Sequence, residues 1–201
     1  MKKIIRICMI ATLCVGVCSC SGNQATSINA NTTSSADTVN GVSQDNLETS
    51  DENKWRFKHF VDEFGDDTEH SYIDYVGSGT FSNTATTNSD LLFSFIVDPN
   101  GIGIALYEYG SSLVQNSYSH NVKYDIAIKD ASGKKYSVIG IMVSDIGDRV
   151  FADQNELLTI LKNSNNQELK FHIVNSERPS TYYNFSVDTS GFSEAYAKLF
   201  E

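Results

Sequence analysis

All four cysteines of this 201-residue chain, Cys8, Cys14, Cys18 and Cys20, lie within its first twenty residues. The rest of the chain therefore has no disulfide and no thiolate metal site to hold it, and must stand on a hydrophobic core of its own. Its length permits that, since a domain of about 150 residues buries roughly 68–70% of the surface its unfolded chain exposes. With 40% hydrophobic and 20% charged residues, the composition is of the globular type.

The first twenty residues read MKKIIRICMIATLCVGVCSC. Lys2, Lys3 and Arg6 precede an apolar run from Ile7 to Val17. A membrane-spanning helix needs about 20 apolar residues, so this shorter run has the layout of a secretory leader. The tetrad Val17-Cys18-Ser19-Cys20 resembles a lipobox, the cleavage motif of bacterial lipoproteins. That resemblance implies that residues 1–19 form a signal peptide and that Cys20 becomes a lipidated, palmitate-bearing N-terminus. An ordinary signal peptide cut near Ser19 or Gly22, and a retained membrane helix, are the alternatives. Ser21 is followed by no run of acids. By analogy with Gram-negative lipoproteins, this implies an anchor in the outer membrane, with the periplasmic and surface sides both open.

Residues 21–52 are almost wholly Ser, Thr, Asn, Gln, Asp, Glu, Gly and Ala. Too little apolar surface exists there to offset backbone ordering, so residues 20–52 read as a lipidated cysteine and a disordered tether. A flexible chain of that length spans about 30 Å. Residues 53–201 are then expected to form a single β-rich domain. The formal charge of −10 becomes −13 when residues 1–19 leave with their three cations. Such a balance argues against nucleic acid or anionic lipid headgroups as the main partner, because both would repel it.

Period-two alternation dominates the body. Val122, Tyr124, Ile126 and Ile128 alternate with polar or small residues, the pattern of a half-buried strand. Leu91, Phe93, Phe95 and Val97 share one face of another, which meets Ile102, Ile104 and Leu106 across Asp98-Pro99-Asn100-Gly101, a sequence suited to a hairpin turn. Further strands are predicted at 55–61, 71–76, 136–143, 169–173 and 183–187. Asp153 with Glu156 predicts a capped helix bearing Leu157, Leu158 and Leu161, and Ser190 is expected to cap a last helix. About eight strands and two short helices near the C-terminal half predict an antiparallel β-sandwich or half-barrel. The strand–strand–helix ending resembles small periplasmic β-sandwich proteins attached to secretion or invasion loci, over some forty residues; no function is carried from it.

Three groups of residues bear on chemistry. Asp62, Glu63, Asp66, Asp67 and Glu69 lie within eight residues, and Asp62, Asp66 and Asp67 are the candidates for a hard-cation site such as Ca²⁺. Their spacing departs from the EF-hand pattern, and a solvated turn is the favoured reading. His59, His70, His120 and His172 fit no zinc-protease spacing, and no GxSxG, P-loop or GxGxxG is present. Ten tyrosines are many for so small a domain. Tyr107, Tyr109 and Tyr182 are expected to point away from their strands' apolar faces and are the candidate ligand face, since a tyrosine ring adds apolar area with a polar handle. No cofactor is expected. The sequence favours a lipid-anchored, non-catalytic binding module, held to the membrane by its lipid and engaging an envelope protein or glycan. The alternatives are an envelope hydrolase or carbohydrate-active enzyme with a site assembled by the fold, and a structural or inhibitor-like lipoprotein.

Overall fold

The structure is a computed structural model that describes residues 54–144, 147–164 and 166–201. The expected signal peptide, Cys20 and the tether lie outside the described residues.

Ten strands and two short α-helices follow in order: β1 (Arg56–Val61), β2 (Asp67–Ser82), β3 (Ser89–Asp98), β4 (Gly101–Glu108), β5 (Ser112–Leu113), β6 (Val122–Lys129), β7 (Lys135–Met142), β8 (Val150–Ala152), α1 (Gln154–Asn163), β9 (Glu168–Asn175), β10 (Tyr182–Asp188) and α2 (Phe192–Ala197), with a last 3₁₀ turn at Lys198–Phe200. The protein is mainly β with its two helices late in the chain, as its patterning predicts.

The sheet is related to the expected sandwich or half-barrel but is identical to neither. It closes on itself, in the order β2-β3-β4-β8-β7-β6-β9-β10 and back to β2, with every pairing antiparallel. Two features close it. Strand β2 is sixteen residues long, so it pairs with β3 along one edge from Ile73 to Phe81 while its other edge takes β10 at Gly79–Ser82. Strand β8 supplies three residues that bridge β4 and β7, with Gly103 opposite Phe151 and Phe151 opposite Ile141. Strand β1 occupies the remaining part of the β2 edge, opposite Asp67–Asp74. There the buried Asp74 carboxylate takes both Arg56 and Lys58 at 2.8 Å.

An eight-stranded barrel is just wide enough for side chains to fill it, and here they do. Phe93 and Phe185 stack at 3.9 Å between centroids, Phe171 lies parallel to Phe185 at 5.2 Å, and Phe95 stands edge-on to Phe185 at 6.2 Å. Gly79, inward-facing on β2, allows this. A methyl at Gly79 would collide with the Asn184 carbonyl and lie 2.7 Å from the Phe185 Cβ.

The two ends of the barrel differ. Strands β8 and β10 finish at the same end, where α1 and α2 add Leu157, Leu161, Phe192 and Ala195 to the core. Trp55 packs against Phe192 at 4.8 Å and Tyr75 at 4.9 Å, and its Nε1–H donates to the Asp188 carbonyl at 2.9 Å. Helix α1 starts as expected, the Asp153 carboxylate accepting from Glu156 N–H at 3.1 Å. Helix α2 does not: Ser190 is no cap, because Gly191 takes the N-cap position at φ 78° with no side-chain bond. The opposite end carries the connections 83–88, 109–121 and 176–181 and residues 143–144 and 147–149, and it is open.

Candidate functional site: the mouth of the barrel

The open end encloses a cleft of about 700 Å³, within the usual range for small-molecule sites. Its floor is the last inward-facing layer of the barrel. Tyr124 on β6 and Tyr183 on β10 continue the apolar faces of their strands and are 2% and 1% exposed. Their rings complete the core, while their hydroxyls reach the cleft. Tyr183 donates to Glu108 Oε1 at 3.0 Å, and the Tyr124 hydroxyl accepts from Asn175 Nδ2 at 3.3 Å.

Burial pushes the Tyr183 phenol far above its ordinary range, and the neighbouring Glu108 carboxylate pushes it further. Burial likewise pushes Tyr124 up to about 12, against the opposing hydrogen bond from Asn175. Both phenols keep their protons at neutral pH. The cleft therefore presents neutral hydroxyls and amides beside one inward carboxylate.

The rim is held by side-chain hydrogen bonds. Buried Asn116 ties the 109–121 connection to the end of β7, its Nδ2 donating to the carbonyls of His120 and Val143 at 2.9 Å. The Asn175 Oδ1 accepts from the backbone N–H groups of Glu177 and Arg178, at 2.9 and 3.1 Å, which sets the turn into Pro179. Arg178 then reaches across the mouth, donating from Nε to the Tyr118 hydroxyl at 2.9 Å with its guanidinium 5.3 Å from that ring centroid. His120 Nε2 meets Glu177 Oε1 at 2.7 Å on the rim. Among the described residues no hydroxyl or thiol hydrogen-bonds to the His120 ring.

The residues expected to form a ligand face do not meet at this cleft. Tyr107 stands on the outer wall opposite Leu92, beside Tyr72 and Arg56 in a separate groove of about 390 Å³. Tyr109 leaves the strand alternation at φ 54° and lies at the rim, 56% exposed, its ring edge-on to Phe81 at 4.9 Å. Tyr182 is on the outer wall of β10, its ring 5.4 Å from His172. The residue that enters the cleft is Glu108, between the first two. Its signal was present in the sequence: it continues the inward positions Ile104 and Leu106, so it is a glutamate where the alternation calls for an apolar residue.

The acidic loop is a tight turn between β1 and β2. The Asp62 carboxylate accepts from the N–H groups of Phe64 and Asp66, at 2.9 and 3.0 Å. Asp62, Asp66 and Asp67 do not converge: among the described residues no group of three His, Cys, Asp or Glu side chains is placed to hold a metal ion. Nor, among those residues, is any helix long and apolar enough to cross a membrane.

No protein-family model, curated protein or solved structure matches this chain.

Proposed function

We propose that this protein is a lipid-anchored, non-catalytic binding module of the bacterial cell envelope. Its binding site is the mouth of the barrel, and its ligand is a small polar molecule the size of one or two sugar units. The observation that carries the reading is the pairing of Tyr183 with Glu108 on the floor of an open cleft, beside Tyr124, Asn175 and Arg178. Neutral phenols and amides donate and accept, Glu108 accepts, and Arg178 donates. That mixture suits a polyhydroxylated ligand, whose groups do both. The packed aromatic interior leaves the cleft at the mouth rather than along the barrel axis, so the ligand sits in a shallow cap and exchanges with solvent.

The test is a titration of isotope-labelled protein with a panel of neutral mono- and disaccharides, followed by amide chemical shifts. Shifts confined to Glu108, Asn116, Asn175 and Tyr183 support the site. Glu108→Gln should weaken that binding by about tenfold, the size of one hydrogen bond to a charged group. Shifts elsewhere, or none with any member of the panel, refute it. The anchor has its own test. Cys20→Ser should move the protein from the membrane to the soluble fraction, since the acyl chains alone supply the membrane affinity.

A further inference from the structure

A second concavity lies on the outer wall, and its charge opposes that of the protein. Lys135 on β7 is directly opposite Lys129 on β6, and Lys129 is directly opposite Lys170 on β9. Three exposed ammonium groups thus form one row across three neighbouring strands, spanning about 10 Å at the ordinary strand spacing. Like charges placed directly opposite one another disfavour strand pairing. Elsewhere on the sheet the cations are neutralised: Lys123 meets Asp125 at 2.9 Å, and Arg56 and Lys58 share Asp74. Among the described residues no carboxylate pairs with Lys129 or Lys135, and Lys170 has only Glu168 at 3.9 Å. Lysines are common on strand edges, where they block sheet-to-sheet association. That account fails for Lys129 and Lys170, since β6 and β9 are paired on both sides; on β7 the pairing with β8 covers only Gly140 and Ile141, and Lys135 lies on the stretch beyond it.

Beside the row the wall is hollow. Ser78, Thr80, Ala127, Asn184 and Ser186 are small, and the depression they leave is about 660 Å³. Its polar groups are hydroxyls and amides. At its far bank His172 Nδ1 meets Asn184 Oδ1 at 2.7 Å, with the Tyr182 ring against the imidazole. A row of cations and a floor of hydroxyls and amides set among apolar carbons therefore lie together on a chain whose net charge is −10.

We propose that this depression binds an acidic polysaccharide bearing carboxylates. The lysine row meets the carboxylates, and the floor meets the sugar hydroxyls and ring faces. An acidic peptide fits less well, because an extended peptide adds along a free strand edge, whereas the lysine row runs across three strands. This site is independent of the mouth.

The test uses the full-length protein in neutral detergent and fluorescein-labelled polygalacturonate oligomers, read by anisotropy. Binding is expected, weakening as salt rises from about 50 mM to about 500 mM because exposed charges are screened. The triple variant Lys129→Ser/Lys135→Ser/Lys170→Ser should lose about tenfold or more in affinity, a shift of about 1.4 kcal/mol or more. Its melting temperature should equal or exceed the parent's, since like-charge repulsion is relieved. The triple Lys→Arg variant should retain binding, and Glu108→Gln should leave it unchanged. Absence of binding, or equal binding by the serine variant, overturns the proposal. So does equal affinity for polyglutamate or for phosphatidylglycerol vesicles, which would assign the row to an acidic protein or a lipid surface.

Discussion

Replacing Phe185 by alanine tests the filled interior of the barrel at its centre. The ring is 6% exposed and touches Phe93, Phe171 and Phe95 at centroid distances of 3.9, 5.2 and 6.2 Å. Truncating a buried phenylalanine costs about 3–5 kcal/mol, part lost transfer energy and part cavity. Collapse should be limited here, because Gly79 across the β2–β10 seam has no side chain to move in. The upper part of that range is therefore expected. In a domain of this size each kcal/mol moves the melting temperature by about 2–4 °C, so the drop should be about 8–20 °C. Calorimetry and guanidinium titration read it, and Phe185→Leu should lose only a fraction as much. A cavity lined by aromatic and aliphatic side chains stays dry and takes up small apolar solutes. Saturating benzene should thus raise the melting temperature of Phe185→Ala and leave the parent unmoved. A loss below about 1 kcal/mol would show that Phe185 is not enclosed as described, and the closed barrel would fail with it.

Further predictions concern the mouth and the closed end. Folding holds the Tyr183 and Tyr124 phenols above their unfolded value of about 10, so their contribution is fully present below that pH. It is lost as pH rises through the folded values, the unfolded chain releasing protons that the folded one retains. Absorbance at alkaline pH should show these two tyrosines ionising only with unfolding, and Tyr183→Phe/Tyr124→Phe should flatten the fall of stability above about pH 10. Asp153→Ala removes the acceptor for Glu156 N–H and should cost about 0.5–2 kcal/mol by chemical denaturation, while Asp153→Ser should restore most of it.

How much of this was legible in the sequence depended on the range of the interaction. Strand β6 was plain, because burial on one face imposes a strict alternation and its residues are buried and exposed in turn. The 98–101 hairpin was plain for a local reason, the Asp98 carboxylate accepting from Asn100 and Gly101 N–H at 2.7 and 2.9 Å. The second half of β2 was not: Gly77-Ser78-Gly79 has the composition of a loop, and only the close approach of Asn184 and Phe185, more than one hundred residues away, calls for a bare backbone at Gly79. Closure was hidden for the same reason, since the β8 bridge is three residues long and carries no periodic signal of its own. The cleft gathers Glu108, Tyr124, Asn175 and Tyr183 from four strands. Alternation places all four on inward faces, and nothing local says that those faces end in an open mouth.

Everything proposed for the mouth and the wall depends on eight strands closing into a ring. Amide hydrogen exchange measures that most directly. The account predicts slow exchange, near the global unfolding limit, for the amides that bond β2 to β3, β2 to β10 and β4 to β8, comparable with those joining β6 to β9. Fast exchange along either side of β2, or along the β4–β8 seam, with protection confined to the remaining pairs, would reveal an open edge and contradict it.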